Sequence, residues 1–505
     1  MPEQRDRWQS RTAFIMAAVG SAIGLGNVWR FPGTAFQNGG GAFFIPYFIA
    51  LLTAGIPLMI VEYGIGSRFQ GSAAKAYRKL GKNYEWIGWW AVLVGLFISF
   101  YYCIILAWSW VYVWECIKAI FTGSLPWPEG GAGDYFEKDV AMDTGDGNSI
   151  GGFNVPAIFG LAATWIVVYF SIAKGVLRVG KIVMITVPLP LVLLVLLALR
   201  GLTLPGAMDG LAYYLAPDWS KLTDPQTWVA AYGQVFFSLS VGWGILIAYA
   251  SYMPKKSDVV NNAYMTSFAN CGFSFLAGFA VFSTLGYLGM ALNQPIADLS
   301  TTSFGLAFTS YPTAVEMFPG DVWFQALIGL GFFLMLLTLG VDSAFSIVEA
   351  VATAMYDKFR ANRQMISLLL CIGGFFMGLI YCTGSGLKWL DCTDKFLTDY
   401  GLTLVALVQC LLIGWFIGTK KLNEMRDDIN ARSDLRIGTF WEICLKYVTP
   451  IVLVITLFKV ATDLIRDGYG GYGTFPLVAF GVIPAALVLL MAIVMQNLKG
   501  AGDED

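Results

Sequence analysis

The chain contains no histidine, and Asp, Glu, Lys and Arg together make only 13% of its 505 residues. Without imidazole it lacks the usual near-neutral proton carrier, so any proton coupling would fall to buried carboxylates. Enzyme signatures are missing too: there is no HExxH and no GxSxG accompanied by triad partners. A net charge of −2 with no long basic run excludes nucleic acid as a partner. The eight cysteines, Cys103, Cys116, Cys271, Cys371, Cys382, Cys392, Cys410 and Cys444, lie singly with no CxxC, so neither a metal site nor a disulfide framework is expected. Residues 1–11 are polar and no small-residue cleavage site closes the run after them, so no cleaved leader is expected.

What remains is apolar. Hydrophobic residues make 57% and aromatics 15% of the chain, and the mean hydropathy is +0.65, which is the composition of a polytopic membrane protein. Windows of about 20 apolar residues mark twelve spans, at 12–36, 41–66, 87–121, 155–172, 179–200, 226–252, 260–292, 321–356, 364–383, 392–418, 442–465 and 473–497. An even number puts both termini on one side. Basic residues choose it: Arg5, Arg7 and Arg11, then Arg68, Lys75, Arg78, Lys79 and Lys82, and later Lys174, Arg178, Lys181, Lys255, Lys256, Lys358, Arg360, Arg363, Lys420, Lys421, Arg426, Arg432 and Arg436 should face the cytoplasm. The loop 123–154, with Glu129, Asp134, Glu137, Asp139, Asp143 and Asp146 against Lys138, belongs outside. The expected location is the inner (plasma) membrane, multi-pass, with both termini cytoplasmic.

Two spans carry signs of interruption. Gly20-Ser21-Ala22-Ile23-Gly24-Leu25-Gly26-Asn27-Val28-Trp29-Arg30-Phe31-Pro32 puts three glycines, an Asn and an Arg at membrane depth, where non-helical backbone survives only against a cavity or ligand. A glycine packing face would explain the glycines alone but not the Asn and Arg. Five spans later, Gly233-Gln234-Val235-Phe236-Phe237-Ser238-Leu239-Ser240-Val241-Gly242-Trp243-Gly244 repeats the pattern. An odd offset inverts topology, and matched breaks in two five-helix halves mark an inverted-repeat transporter whose site lies between them. A channel would need a repeated polar lining, which these clustered polar residues do not make. The expected fold is therefore all-α, with twelve transmembrane helices and a 5+5 inverted repeat broken in helices 1 and 6. Its parts are a cytoplasmic segment 1–11, a first repeat 12–200, an extracellular loop 201–225, a second repeat 226–418, helices 11 and 12 over 419–497, and a cytoplasmic tail 498–505.

At these residues the chain resembles the neurotransmitter:sodium symporters. The likeness runs from Ser21 to Pro32 and Asn38-Gly39-Gly40-Gly41-Ala42-Phe43 through Gln234–Ser240, Asn270–Phe279 and Leu337–Ser343, and is similar to a bacterial member with the fold of the bacterial leucine transporter. It implies Na+-driven uptake of an amino acid or related amine by alternating access. It also implies two sodium sites: the first from the Ala22 carbonyl, Asn27, Ser238, Asn270 and the substrate carboxylate, the second from carbonyls of Gly20, Ile23 and Leu339 with Asp342 and Ser343. Oxygen donors of this kind suit a hard cation, and Asp342 has no basic neighbour in sequence.

Bacterial relatives often carry an acid where Ser274 stands. Tyr47, Gln234, Ser238, Asn270 and Ser274 instead offer neutral donors, a pattern that resembles the chloride-dependent transporters and implies bound Cl−, since a missing fixed charge beside a buried cation leaves a Coulomb deficit. Gly24 stands where amine transporters place an Asp, which leaves room for a substrate carboxylate at the amides of Leu25 and Gly26. The resemblance makes Tyr102 a carboxylate donor, sets Ser21, Phe237, Ser240 and Ser343 around the ammonium, and lines the side-chain end with Ile98, Trp243, Ser346 and Ile347. Trp243 resembles the glycine transporters and favours glycine or alanine, although Ser346 could return space. GABA, taurine, betaine or a larger neutral amino acid is the alternative, and an ion channel or a non-transporting sensor is the competing class.

Gates carry over likewise. Arg30 and Asp394 would bridge through water above a lid of Phe237 and Tyr102, and Arg5 and Asp357 would pair below, beside Trp8, Ser251 and Tyr252. Glu62 matches an acid that braces the helix 6 break. Oligomeric state and ion stoichiometry are not legible in the sequence.

Overall fold

A computed structural model describes residues 7–127, 131–143, 147–296, 299 and 303–501. Its main helices are α1 Arg11–Ala22, α2 Gly26–Gln37, α3 Gly41–Phe69, α4 Ala73–Leu80, α5 Lys82–Thr122, α6 Val155–Ile172, α7 Val176–Leu202, α8 Pro225–Ser238, α9 Ile245–Ala250, α10 Val259–Leu292, α11 Val322–Phe359, α12 Arg363–Cys382, α13 Gly386–Phe416, α14 Thr439–Asp467 and α15 Thr474–Asn497. Among the described residues there is no strand, only two isolated bridges.

Local chemistry sets many boundaries. Asp224 caps α8 by accepting from the Gln226 amide, with Pro225 at the first helical position. Asp258 does the same for α10 through the Asn261 amide. The long helices α5, α10 and α11 end on residues in the left-handed region, Gly123, Asn293 and Arg360. α7 is interrupted at Val187, where Pro188 removes a backbone donor.

Among the described residues ten helices are long and apolar enough to cross a membrane, and the bent pair of α1 and α2, at 56°, makes an eleventh. The twelfth expected window, 226–252, is divided into α8 and α9 with the six residues Leu239–Gly244 between them. Neither half is long enough to span alone. The connections differ from bare loops: 201–225 contains the helix Ala207–Leu215, and 417–438 contains the helix Gly418–Asn430. In the core, α11 packs along α5, which in turn holds α6 and α15, while α7 lies on α10. α14 and α15 leave large apolar side chains outward, Phe458 and Leu490 among them, which suits lipid contact.

Candidate functional site: two helix breaks around one cavity

The first break is made by a side-chain amide. α1 stops at Ala22 and Ile23 leaves the helix at φ −81 and ψ 104. A continuous helix would give the Gly24 amide to the Gly20 carbonyl. Instead Gly24 N–H donates to Asn27 Oδ1 at 2.8 Å, taking that donor away from an α1 carbonyl.

The second break uses left-handed backbone: φ is +54 at Ser240, +86 at Gly242 and +72 at Gly244. Ser240 carries a side chain in this region, at a cost of about 1–2 kcal/mol. Its hydroxyl donates to the Ser21 carbonyl at 2.9 Å, which joins the two breaks. The Gly242 amide donates to Glu62 Oε1 at 2.9 Å, and Gln409 Nε2 donates to the same oxygen at 3.2 Å. Glu62 therefore supplies the missing acceptor at the sixth-span break.

A cavity of about 30 Å³ lies between the breaks, lined by Ser21, Ala22, Gly24, Leu25, Gly26, Asn27, Tyr102, Phe237, Ser238, Ser240, Trp243, Ile245, Ser343 and Ile347. Two expected lining residues are elsewhere. Ile98 faces the adjoining vestibule. Ser346 turns away: its hydroxyl donates to the Asp342 carbonyl at 2.6 Å and accepts from Tyr249 at 2.7 Å, so it returns no space to the pocket. Ile245 joins the lining unforeseen, its only signal being its place directly after Gly244. Ser21 Oγ, the Tyr102 hydroxyl and Trp243 Nε1 are buried with no hydrogen-bond partner among the described residues. Unsatisfied polar atoms around a small cavity suit a polar ligand.

The first ion set converges in a buried knot. Asn27 Nδ2, with two hydrogens to share, lies 2.8 Å from Asn270 Oδ1, 3.1 Å from Ser238 Oγ and 2.7 Å from Ser274 Oγ, and Asn270 Nδ2 donates to Ser238 Oγ at 2.7 Å. In the second set, Asp342 is 2% exposed and its Oδ1 has no hydrogen-bond partner among the described residues. A Cβ on Gly20 would meet Asp342 Oδ2 at 3.1 Å and Val187 Cγ2 at 2.7 Å, so the helix break and the acid meet only because residue 20 has no side chain. The Ser343 hydroxyl faces Leu339, its oxygen 3.5 Å from that carbonyl. Thr186 on α7 also reaches Asp342, a neighbour that no motif announced. Tyr47, Gln234, Ser238, Asn270 and Ser274 are all buried. Tyr47 contacts Cys271 Sγ at 3.4 Å, Gln234 Nε2 reaches the Gly26 carbonyl at 3.4 Å, and Gln234 Oε1 is left unpartnered.

The model of the sodium:neurotransmitter symporter family matches residues 5–133 and 129–499. The chain belongs to that family. An uncharacterised sodium-dependent transporter of Methanocaldococcus jannaschii is 41% identical over 497 residues, covering 98% of each chain. The sodium-dependent dopamine transporter of Bos taurus is 33% identical over 509 residues, covering 94% of this chain and 71% of the bovine one. This is a family of membrane transporters, not of enzymes, and sodium-coupled transport is its character.

The symporter is open on one face and shut on the other. A vestibule of about 800 Å³ reaches Leu25, Gly26, Tyr102 and Phe237 from the face that carries Gly133, Phe136 and Glu137. Arg30 Nη2 lies 3.8 Å from Asp399, with its guanidinium 4.3 Å above the Phe237 ring. Asp394 is held instead by the Tyr101 hydroxyl at 2.7 Å and Thr398 Oγ1 at 3.0 Å. On the opposite face Trp8 Nε1 donates to the Tyr249 carbonyl at 2.8 Å, and Tyr252 hydrogen-bonds Thr353 at 2.9 Å and Arg363 at 3.0 Å. Arg363 is ion-paired with the fully buried Glu349. Asp357 Oδ2 accepts from the Ser72 amide at 2.7 Å; its expected partner Arg5 lies outside the described residues. Lys358 and Glu85 add a buried pair at 2.9 Å. The sequence places Lys358 and Arg363 only among the cytoplasmic charges; their pairing with Glu85 and Glu349 comes from the fold.

Proposed function

We propose that this symporter couples the inward movement of two sodium ions, with chloride, to uptake of a small neutral amino acid, glycine and alanine first. The observation that carries the substrate reading is the cavity of about 30 Å³ between the breaks, room for about two waters by the usual volume needed per molecule. Phe237 and Trp243, whose ring centroids are 6.1 Å apart, border it. The polar groups left without partners at Ser21 and Tyr102 would orient the ammonium and carboxylate. GABA, taurine, betaine or a larger neutral amino acid ranks second, since each needs Trp243 to move.

In this reading 12–200 and 226–418 are the two inverted five-helix repeats of a twelve-helix chain. The basic loops and both termini are cytoplasmic, and the vestibule is extracellular. Ala22, Asn27, Ser238 and Asn270 would hold the first sodium, and Gly20, Ile23, Leu339, Asp342 and Ser343 the second. Tyr47, Gln234, Ser238, Asn270 and Ser274 would hold chloride. Closing the Phe237 side and parting Trp8 from Tyr249 on the other would expose the same cavity to the cytoplasm.

The test is uptake of radiolabelled glycine and alanine into proteoliposomes under an inward Na+ gradient, in chloride and in gluconate. Accumulation that needs Na+ supports the symporter. Equilibration without accumulation indicates a channel, and binding without flux a sensor. Uptake unchanged in gluconate removes chloride, and Ser274→Glu should relax a true chloride requirement.

A further inference from the structure

Asp391, Asp394 and Asp399 line the vestibule together with Arg30. Over Lys395–Leu402, α13 winds with i to i+5 hydrogen bonds. In an α-helix five residues advance about 500°, which leaves the ends about 140° apart; the wider winding brings them near a full turn, so Asp394 and Asp399 come toward one face. Both line the vestibule with Arg30.

They are held differently. Asp394 Oδ1 accepts from Tyr101 and Thr398, which orient it. Asp399 Oδ2 is bound by Lys395 at 2.7 Å, while its Oδ1 is 3.8 Å from Arg30. That separation is beyond hydrogen-bond length, so the contact is attractive and readily released. Arg30 in turn rests on Phe237, which lines the substrate cavity.

We propose that Asp399 is a catch that holds Arg30 aside while the vestibule is open, and that closure passes Arg30 to Asp394. The inference rests on the alternating-access reading above. Lys395 keeps the catch weak by sharing the Asp399 carboxylate, and the i to i+5 winding supplies both acids from one turn. Asp399 is thus a positioning residue for the gate, acting through Arg30.

The full-length protein in lipid nanodiscs would carry a reporter cysteine at Leu387→Cys, a vestibule position; the eight native cysteines are buried. The rate of labelling by a membrane-impermeant thiol reagent reads vestibule opening. Asp399→Asn should slow labelling of the ligand-free protein about threefold, as expected for loss of one weak pair, and should tighten glycine binding in NaCl by about the same factor. Asp394→Asn should shift both the other way, as should Lys395→Gln, which leaves Asp399 to Arg30 alone; Asp399→Glu should restore the parent rate. Wild-type labelling by Asp399→Asn, or a shift in the same direction for both acids, would overturn the catch. A reporter that ignores Na+ and amino acids would count against the transport reading instead, because the ligand-free comparison of the two acids needs neither.

Discussion

The two breaks are hydrogen-bonded to each other yet are built by opposite means. In the first span every residue keeps ordinary backbone angles, and the obstacle to a side chain is space: a Cβ on Gly24 would lie 2.8 Å from Ser343 Oγ. In the sixth, a Cβ on Gly242 would meet nothing closer than 3.6 Å, and the obstacle is its φ of +86. At Gly24 the limit is contact and at Gly242 it is conformation. The first is therefore suited to rearrange with its ligands, while the second needs a brace, which Glu62 provides.

The contrast can be broken most severely at that brace. Glu62→Ala leaves two buried donors, the Gly242 amide and the Gln409 amide, without their acceptor, and should lower stability by about 3 kcal/mol in total. Thermal unfolding of the purified protein would show it, and Glu62→Gln, which keeps an acceptor oxygen, should recover much of the loss. Asn27→Ala comes next. It frees the Gly24 amide and dissolves the knot with Asn270, Ser238 and Ser274, for about 2 kcal/mol. Unlike Glu62→Ala it should also abolish the stabilisation by Na+ in a thermal-shift titration.

Gly242→Ala sharpens the comparison. It should cost about 1–2 kcal/mol through left-handed strain alone, whereas Gly24→Ala should cost less stability and more affinity, measured by glycine binding in NaCl. The smallest effect is expected for Ser240→Ala, which removes only the hydroxyl bond to the Ser21 carbonyl, at about 1 kcal/mol. Equal losses of stability and affinity at Gly24 and Gly242 would erase the distinction between the breaks.

Much of this was legible because glycines, an Asn and an Arg inside apolar runs have few uses in a membrane. The helix 1 break follows from such positions, whereas the residues expected around the cavity, and Ser238, Asn270 and Ser274 beside Asn27, are implied only by the resemblance to the family. Ile98 and Ser346 are implied as pocket lining by the resemblance, which does not fix how a side chain rotates; Ile98 lines the vestibule. Ser346 found a closer partner in Tyr249. Thr186 escaped notice because its partner Asp342 lies on a helix far away in sequence.

By itself the sequence determined a membrane protein of many helices, interrupted twice where polar chemistry is placed, since hydropathy and backbone breakers act locally and are written residue by residue. Only the tertiary structure decided that Arg30 lies toward Asp399, that Glu349 meets Arg363, and that one face is open while the other is shut. Those choices depend on how helices rotate and wind against one another: the i to i+5 turn between Asp394 and Asp399 redirects two carboxylates without changing a single residue.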